Sequence, residues 1–122
     1  MDLNPMHRIT MQARRAIKIE EDRQKFVQNM ISTIYTDAVQ TADTTDASFY
    51  KHVLHYGNKE NDFTRNAAEI TDRLRTLFPN CNVTYTSYVY GYNNWHEEST
   101  ITEAMKPFLT RNRQEMIVID WS

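Results

Sequence analysis

The chain predicts an α+β domain: a long N-terminal helix, then a strand–helix–strand–strand order whose small antiparallel sheet packs on one helix. Three observations carry that expectation. Apolar residues recur three and four apart over residues 26–39 and again over 63–77, the period of helices with one buried face. Three short runs, 48–56, 83–90 and 116–121, are rich in Val, Ile, Thr and aromatics, as strands are. Finally, 122 residues with two glycines and three prolines leave room for one core and little linker.

Taken in order, Asn4-Pro5 reads as a helix opening, an Asn cap before a Pro whose missing N–H is harmless in the first turn. No Gly or Pro interrupts the chain from there to Thr41. The periodicity is strong in Phe26, Val27, Met30, Ile31, Ile34, Tyr35, Ala38 and Val39, and weaker in Ile9, Ala13, Ala16 and Ile17. A break near Glu20–Asp22 would separate a basic arm, residues 1–20, from a single domain, residues 21–122.

Residues 41–47 (TADTTDA) read as a loop, residues 48–56 as a strand, and Gly57-Asn58 as a turn. The second helix is capped by Asn61 or Asp62. It shows one apolar seam of Phe63, Ala67, Ile70, Leu74 and Leu77 before Pro79-Asn80 ends it. A strand over 83–90 stops at Gly91. Residues 91–114 form an irregular excursion, with a short helix from Ser99 or Thr100 to Met105. The apolar run Met116–Trp121 reads as a buried closing strand.

The formal net charge of −2 lacks the basic excess of a general nucleic-acid binder. Only Arg8, Arg14, Arg15 and Lys18 make the first segment basic. They read first as a solvated helix face, and second, for Arg14, Arg15 and Lys18, as contacts to phosphate or to an acidic partner. Cys81 is the single cysteine, which excludes an internal disulfide and a Cys-rich zinc site. No apolar run approaches the ~20 residues of a membrane span. Met1–Thr10 carries no apolar signal-peptide core, so the chain reads as kept in a reducing compartment.

Nothing in the sequence assembles a catalytic, metal or cofactor site. His52 and His55, near Asp46 and Glu60, have metal-ligand spacing only on a helix, and the segment reads as a strand, where such residues face opposite ways. His96 beside Glu97 and Glu98 lacks a further ligand at a diagnostic spacing. Cys81 follows a helix end instead of sitting at a helix start, where a thiolate is stabilised. Glu97, Glu98 and Glu103 have nothing to fix their separation for acid–base work. Two glycines so placed cannot build a phosphate-binding loop. The bunched Tyr85, Tyr88, Tyr90, Tyr92 and Trp95 read first as sheet packing, next as a protein interface, and third as a stacking platform for nucleic acid.

The run Leu77-Phe78-Pro79-Asn80-Cys81, the strand opening Asn82-Val83-Thr84-Tyr85 and the ending Ile117-Val118-Ile119-Asp120-Trp121-Ser122 resemble small proteins of the nucleocytoplasmic large DNA viruses. The resemblance spans roughly half the chain, from Asp62 onward, and brings no functional residues with it. It implies a virion component made in the host cytoplasm. A minor capsid protein beneath or between major capsid subunits would have other protein subunits as partners.

These readings lead to an expected function: a structural, non-enzymatic assembly protein without cofactors, in an oligomer or hetero-complex. Two adhesive parts are expected, the helical arm with Ile9, Ile17 and Ile19, and the aromatic stretch with Tyr88, Tyr90, Tyr92 and Trp95. The alternative is a nucleic-acid-binding or regulatory domain, its helix and hairpin arranged like a winged helix, using Arg14, Arg15, Lys18 and Lys25. A third class, a small enzyme around His96, Glu97 and Glu98, would need a pocket converging on them.

Overall fold

A computed structural model describes residues 3–56 and 62–122. Its elements are α1 (Arg8–Thr44), β1 (Phe49–Tyr56), α2 (Asp62–Leu77), β2 (Asn82–Gly91), β3 (Asn94–Glu97) and β4 (Leu109–Asp120). The architecture is α+β, as the periodicities predict. The turn at Gly57-Asn58, the Asn61 cap and Glu60 lie outside the described residues.

Helix α1 starts later and ends later than its sequence signals suggest. His7, extended and without a side-chain cap bond, precedes the first helical residue, so the Asn4-Pro5 opening is unused. The expected break at Glu20–Asp22 does not occur. Pairs three and four apart hold that turn helical: Lys18 with Asp22 at 2.9 Å, Arg23 with Glu20 at 2.8 Å, and Gln24 donating to Glu20 at 3.1 Å. At the other end, the Thr41 and Thr44 hydroxyls donate to the carbonyls of Asp37 and Gln40. The threonines expected to form a loop are helical as far as Thr44, with these hydroxyls bonded back to carbonyls four residues earlier.

The sheet is wholly antiparallel in the order β1-β4-β2-β3, so the last strand is central. Register places Tyr50 and Val83 on either side of Ile119, and His52 and Tyr85 on either side of Ile117. These residues share the inner face. Against it lie α2 and the second half of α1, so two helices cover the sheet where one is expected. The core joins Val27, Ile31, Ile34 and Ala38 of α1 to Phe63, Ile70 and Leu74 of α2 and to Val83, Ile117 and Ile119 of the sheet. The rings of Tyr35 and Phe78 pack beside it at 5.3 Å, tilted by 40°.

The Pro79-Asn80 stop is a turn in which Cys81 N–H donates to the Phe78 carbonyl at 3.2 Å and Asn80 sits at φ 70°. A Pro followed by a residue with positive φ is the arrangement of a type II turn.

The excursion over 91–114 is more ordered than expected. Strand β2 runs through Gly91 and turns back at once through Tyr92 and Asn93, at φ 50° and 60°. Two consecutive positive φ values make the tight hairpin turn whose twist matches its strands. Gly91 is required where it stands. A Cβ there would lie 3.0 Å from both the Leu109 Cα and the Phe108 carbonyl oxygen, because β4 crosses closely at a register shift. The short helix from Ser99 or Thr100 to Met105 is replaced by two 3-10 turns, Glu98–Thr100 and Lys106–Phe108, the second containing Pro107. Strand β4 begins at Leu109, seven residues before the apolar run that announces it.

Candidate functional site

Every residue of α1 from Arg8 to Asp22 is exposed, and burial begins only with Arg23 and Phe26. About four turns of helix, roughly 22 Å at 1.5 Å per residue, therefore stand clear of the domain. The side chains on this arm are not those of a purely solvated helix. Counting by fours and threes from Ile9 gives Ala13, Ala16, Glu20 and Arg23, then the buried Val27, Ile31, Ile34 and Ala38. That line carries Ile9, Ala13 and Ala16 on the arm, is broken by Glu20 and Arg23 at the root, and has Ile17 and Ile19 on its two flanks, and among the described residues nothing covers it. Ile9 is 79% exposed, Ile17 60% and Ile19 56%, and Leu3 and Met6 are exposed beyond the helix start.

The arm is basic over Arg8–Lys18. Arg8, Arg14 and Arg15 form no ion pair among the described residues. Lys18 is held by the Asp22 carboxylate, whose hydrogen bond raises its pKa. The root sets Glu20, Glu21, Asp22 and Glu69 among Lys18, Arg23, Lys25 and Arg65, and it is anchored by Arg23. That guanidinium binds both oxygens of Glu20, the Asn66 side-chain oxygen at 3.1 Å, and Glu69 of α2. Arg23 holds the Glu20 carboxyl down at about 2. This fork fixes the direction in which the arm leaves the domain. Beside it, Ile19, Asp22, Arg23, Phe26, Arg65 and Asn66 line an open groove of about 490 Å³.

The aromatic stretch divides into two environments. Tyr88, Tyr90 and Trp95 are half-buried on the outer sheet face, and Tyr90 and Trp95 pair across β2 and β3 edge to face at 5.2 Å. Met116 and Val118 extend that face along β4, and no described helix packs across it. Tyr92 is instead the exposed corner of the hairpin, with its ring against His96 and Phe108. The arm and the aromatic face are separate surfaces.

No family model, curated protein or solved structure matches this chain.

His52 and His55 lie on a strand, not on the helix that a shared metal would require. Among the described residues no three His, Cys, Asp or Glu groups come together as metal ligands, and no helix is long and apolar enough to cross a membrane. Glu97 and Glu98 serve local structure: Glu97 accepts from Ser99, and Glu98 pairs with Arg113 at 3.1 Å.

The sequence reading misses a polar cluster on the inner sheet face. Glu115 is 1% exposed and accepts from the Tyr85 phenol and from Thr64 Oγ1 at 2.9 Å. Its signal is alternation: stepping back by two from Ile119 and Ile117 lands on Glu115, an inner-face position. Nearby, the Tyr50 phenol donates to Asp37 at 3.2 Å, and the buried His52 Nε2 has no hydrogen-bond partner among the described residues. Burial lowers the His52 pKa, against the opposing pull of Asp37. Burial and then Asp37 push the Tyr50 phenol up to about 12.

These shifts give a pH dependence. The fold prefers neutral His52, so the unfolded chain takes up a proton first as pH falls below its usual 6.5, and stability declines from there. The fold also prefers neutral Tyr50, so stability falls again as pH rises from the ordinary 10 toward 12. Urea midpoints measured from pH 5 to 11 are expected to show both limbs, and His52→Gln to flatten the acid one.

Proposed function

We propose that this chain is a non-enzymatic assembly module that docks onto protein through its projecting arm. One observation carries the reading: a folded helix, basic over Arg8–Lys18, extends beyond the core with Ile9, Ile17 and Ile19 exposed and uncovered among the described residues. Isolated apolar side chains on a surface need no explanation, but several on one projecting helix do. A helix unsupported over four turns is marginal alone and gains stability when its apolar face is covered. Helix-in-groove or helix-on-helix docking suits such an element. The viral resemblance supplies the setting: a virion protein of the minor capsid kind, made in host cytoplasm, with capsid subunits as neighbours.

Nucleic acid is the second reading, favoured by Arg8, Arg14 and Arg15, which form no ion pair among the described residues. The test is a photo-cross-linking residue at position 17 of the full chain, in cells that produce it, beside DNA titration at low and high salt. Cross-links to protein are expected, together with no DNA complex at physiological salt. Absence of protein cross-links, with a DNA complex that weakens steeply as salt rises, overturns the docking reading in favour of the second.

A further inference from the structure

We infer that β1 is an edge strand released by acid, with His52 as its latch: a proton taken up by His52 frees the strand from both helices while β2, β4 and the helices stay folded. The release is independent of what the arm meets.

Strand β1 is an edge of the sheet and pairs only with β4, residue for residue from Phe49 to Tyr56. The buried apolar core is drawn from α1, α2, β2 and β4. None of the described side chains of β1, residues 49–53, belongs to it. Phe49, Lys51 and Val53 are exposed on the outer face, and the half-buried Tyr50 and His52 face the helices. Beyond its ladder, the described part of β1 is held by these two polar side chains. At its start, the Trp121 N–H donates to the Ser48 carbonyl at 2.9 Å and pins the chain there. An edge strand with so little apolar burial opens at lower cost than the core.

The His52 ring sits where β1 meets both helices. Its centroid lies 6.0 Å from that of Phe63 in α2 and 6.4 Å from that of Tyr50. Nδ1 is 3.4 Å from the Tyr50 hydroxyl oxygen, which donates its own proton to Asp37 of α1. The phenol oxygen is thus placed to accept from Nδ1–H, which makes Nε2 the basic nitrogen. Nε2 is buried and has no hydrogen-bond partner among the described residues. Ile117 of β4 stands opposite the ring, and beyond Phe63 the Tyr85 phenol and Thr64 hydroxyl both donate to Glu115. Asp37 is the described acid whose charge acts on the ring, and it bonds to the Tyr50 phenol.

A proton added at Nε2 creates a buried donor with nothing to receive it. Burial already holds the ring below its ordinary 6.5, over the opposing pull of Asp37. Swinging β1 outward about Ser48 puts the imidazolium in water and gives up one ladder and one phenol bond, without opening the core. It also leaves one side of β4 unpaired, an edge to which another strand can add.

The experiment is native-state hydrogen exchange on the full chain at pH 7.5 and 5, over a series of low urea concentrations, with the His52 ring titrated by NMR. The β1 amides are expected to exchange through an opening nearly insensitive to urea, distinct from the global opening that exposes β2. From pH 7.5 to 5 that opening should become up to about 30-fold more frequent, the limit for a ring that is neutral while closed and titrates at 6.5 once open. The His52 ring should titrate below the exposed His7. In His52→Gln, which stays neutral throughout, the β1 opening should lose its pH dependence while β2 stays protected. If the β1 amides follow the urea dependence of β2 at both pH values, the strand leaves only with the whole fold and the inference is overturned. A pH dependence that survives in His52→Gln also overturns it. So does a His52 ring that titrates together with His7 while β1 keeps its protection, a result that needs no variant and holds even where His52→Gln fails to fold.

Discussion

Ile34→Ala is expected to cost about 2–5 kcal/mol of folding stability, whereas Ile17→Ala in the same helix should stay within about 0.5 kcal/mol of neutral. Both residues are isoleucines on α1, so helix propensity changes equally at the two sites and cancels from the comparison. What differs is the surroundings. Ile34 is fully buried among residues of α1, α2 and the sheet, and its loss leaves a cavity that those elements cannot close without moving. Ile17 touches solvent. Against a total stability of about 5–15 kcal/mol, the Ile34 loss is enough to populate unfolded chains at moderate temperature. Urea unfolding followed by far-UV circular dichroism, at a concentration where the chain is monomeric, separates the two cases. Equal costs at both sites would mean that the arm packs on its own domain, and the docking reading would lose its foundation.

The contrast also marks what the sequence can and cannot convey. Periodicity predicts both helices and the side of each that is buried, because one apolar face is enough to record it. It cannot say where along α1 the covering stops, since Ile9, Ala13 and Ala16 keep the same spacing as Ile31, Ile34 and Ala38. Coverage is decided by the length of the sheet and of α2, which is tertiary information. The tight hairpin at Tyr92-Asn93 escapes prediction for a different reason. The usual Asn-Gly signal is missing, and positive φ at Tyr92 is tolerated where its ring packs on His96 and Phe108. Strand β4 hides its first half because Arg111–Gln114 are polar, although Gly91 and Leu109 already pair there. Of the expected interface residues, Ile9, Ile17 and Ile19 are exposed. Tyr90 and Trp95 pack edge to face on each other, and Tyr88 is half-buried opposite Glu97, which is sheet packing of the kind the first reading of the aromatic stretch describes.

Removing the phenol at Tyr85 is the other change with a large expected effect. Tyr85→Phe deletes a donor to a carboxylate that is almost wholly out of water, and a hydrogen bond to a charged group contributes about 1.5–3 kcal/mol. The ring itself stays, packed against Phe63, so the loss is chemical rather than volumetric. Glu115→Gln separates this account from a packing defect. The neutral amide has less need of the phenol, so Tyr85→Phe should cost about 1 kcal/mol less in the Gln background than in the wild type. Additive costs would mean that the phenol–carboxylate bond contributes little. The effect should also travel. Glu115 of β4 holds Thr64 in the first turns of α2, and the same stretch offers Asn66 and Glu69 to Arg23 at the root of the arm. Loosening Glu115 therefore loosens the clamp that sets the arm's direction. Tyr85→Phe is expected to speed amide exchange around Arg23 while leaving Ala38 and Ile70 protected, and a uniform rise across the domain would instead mean that the clamp and the core yield together.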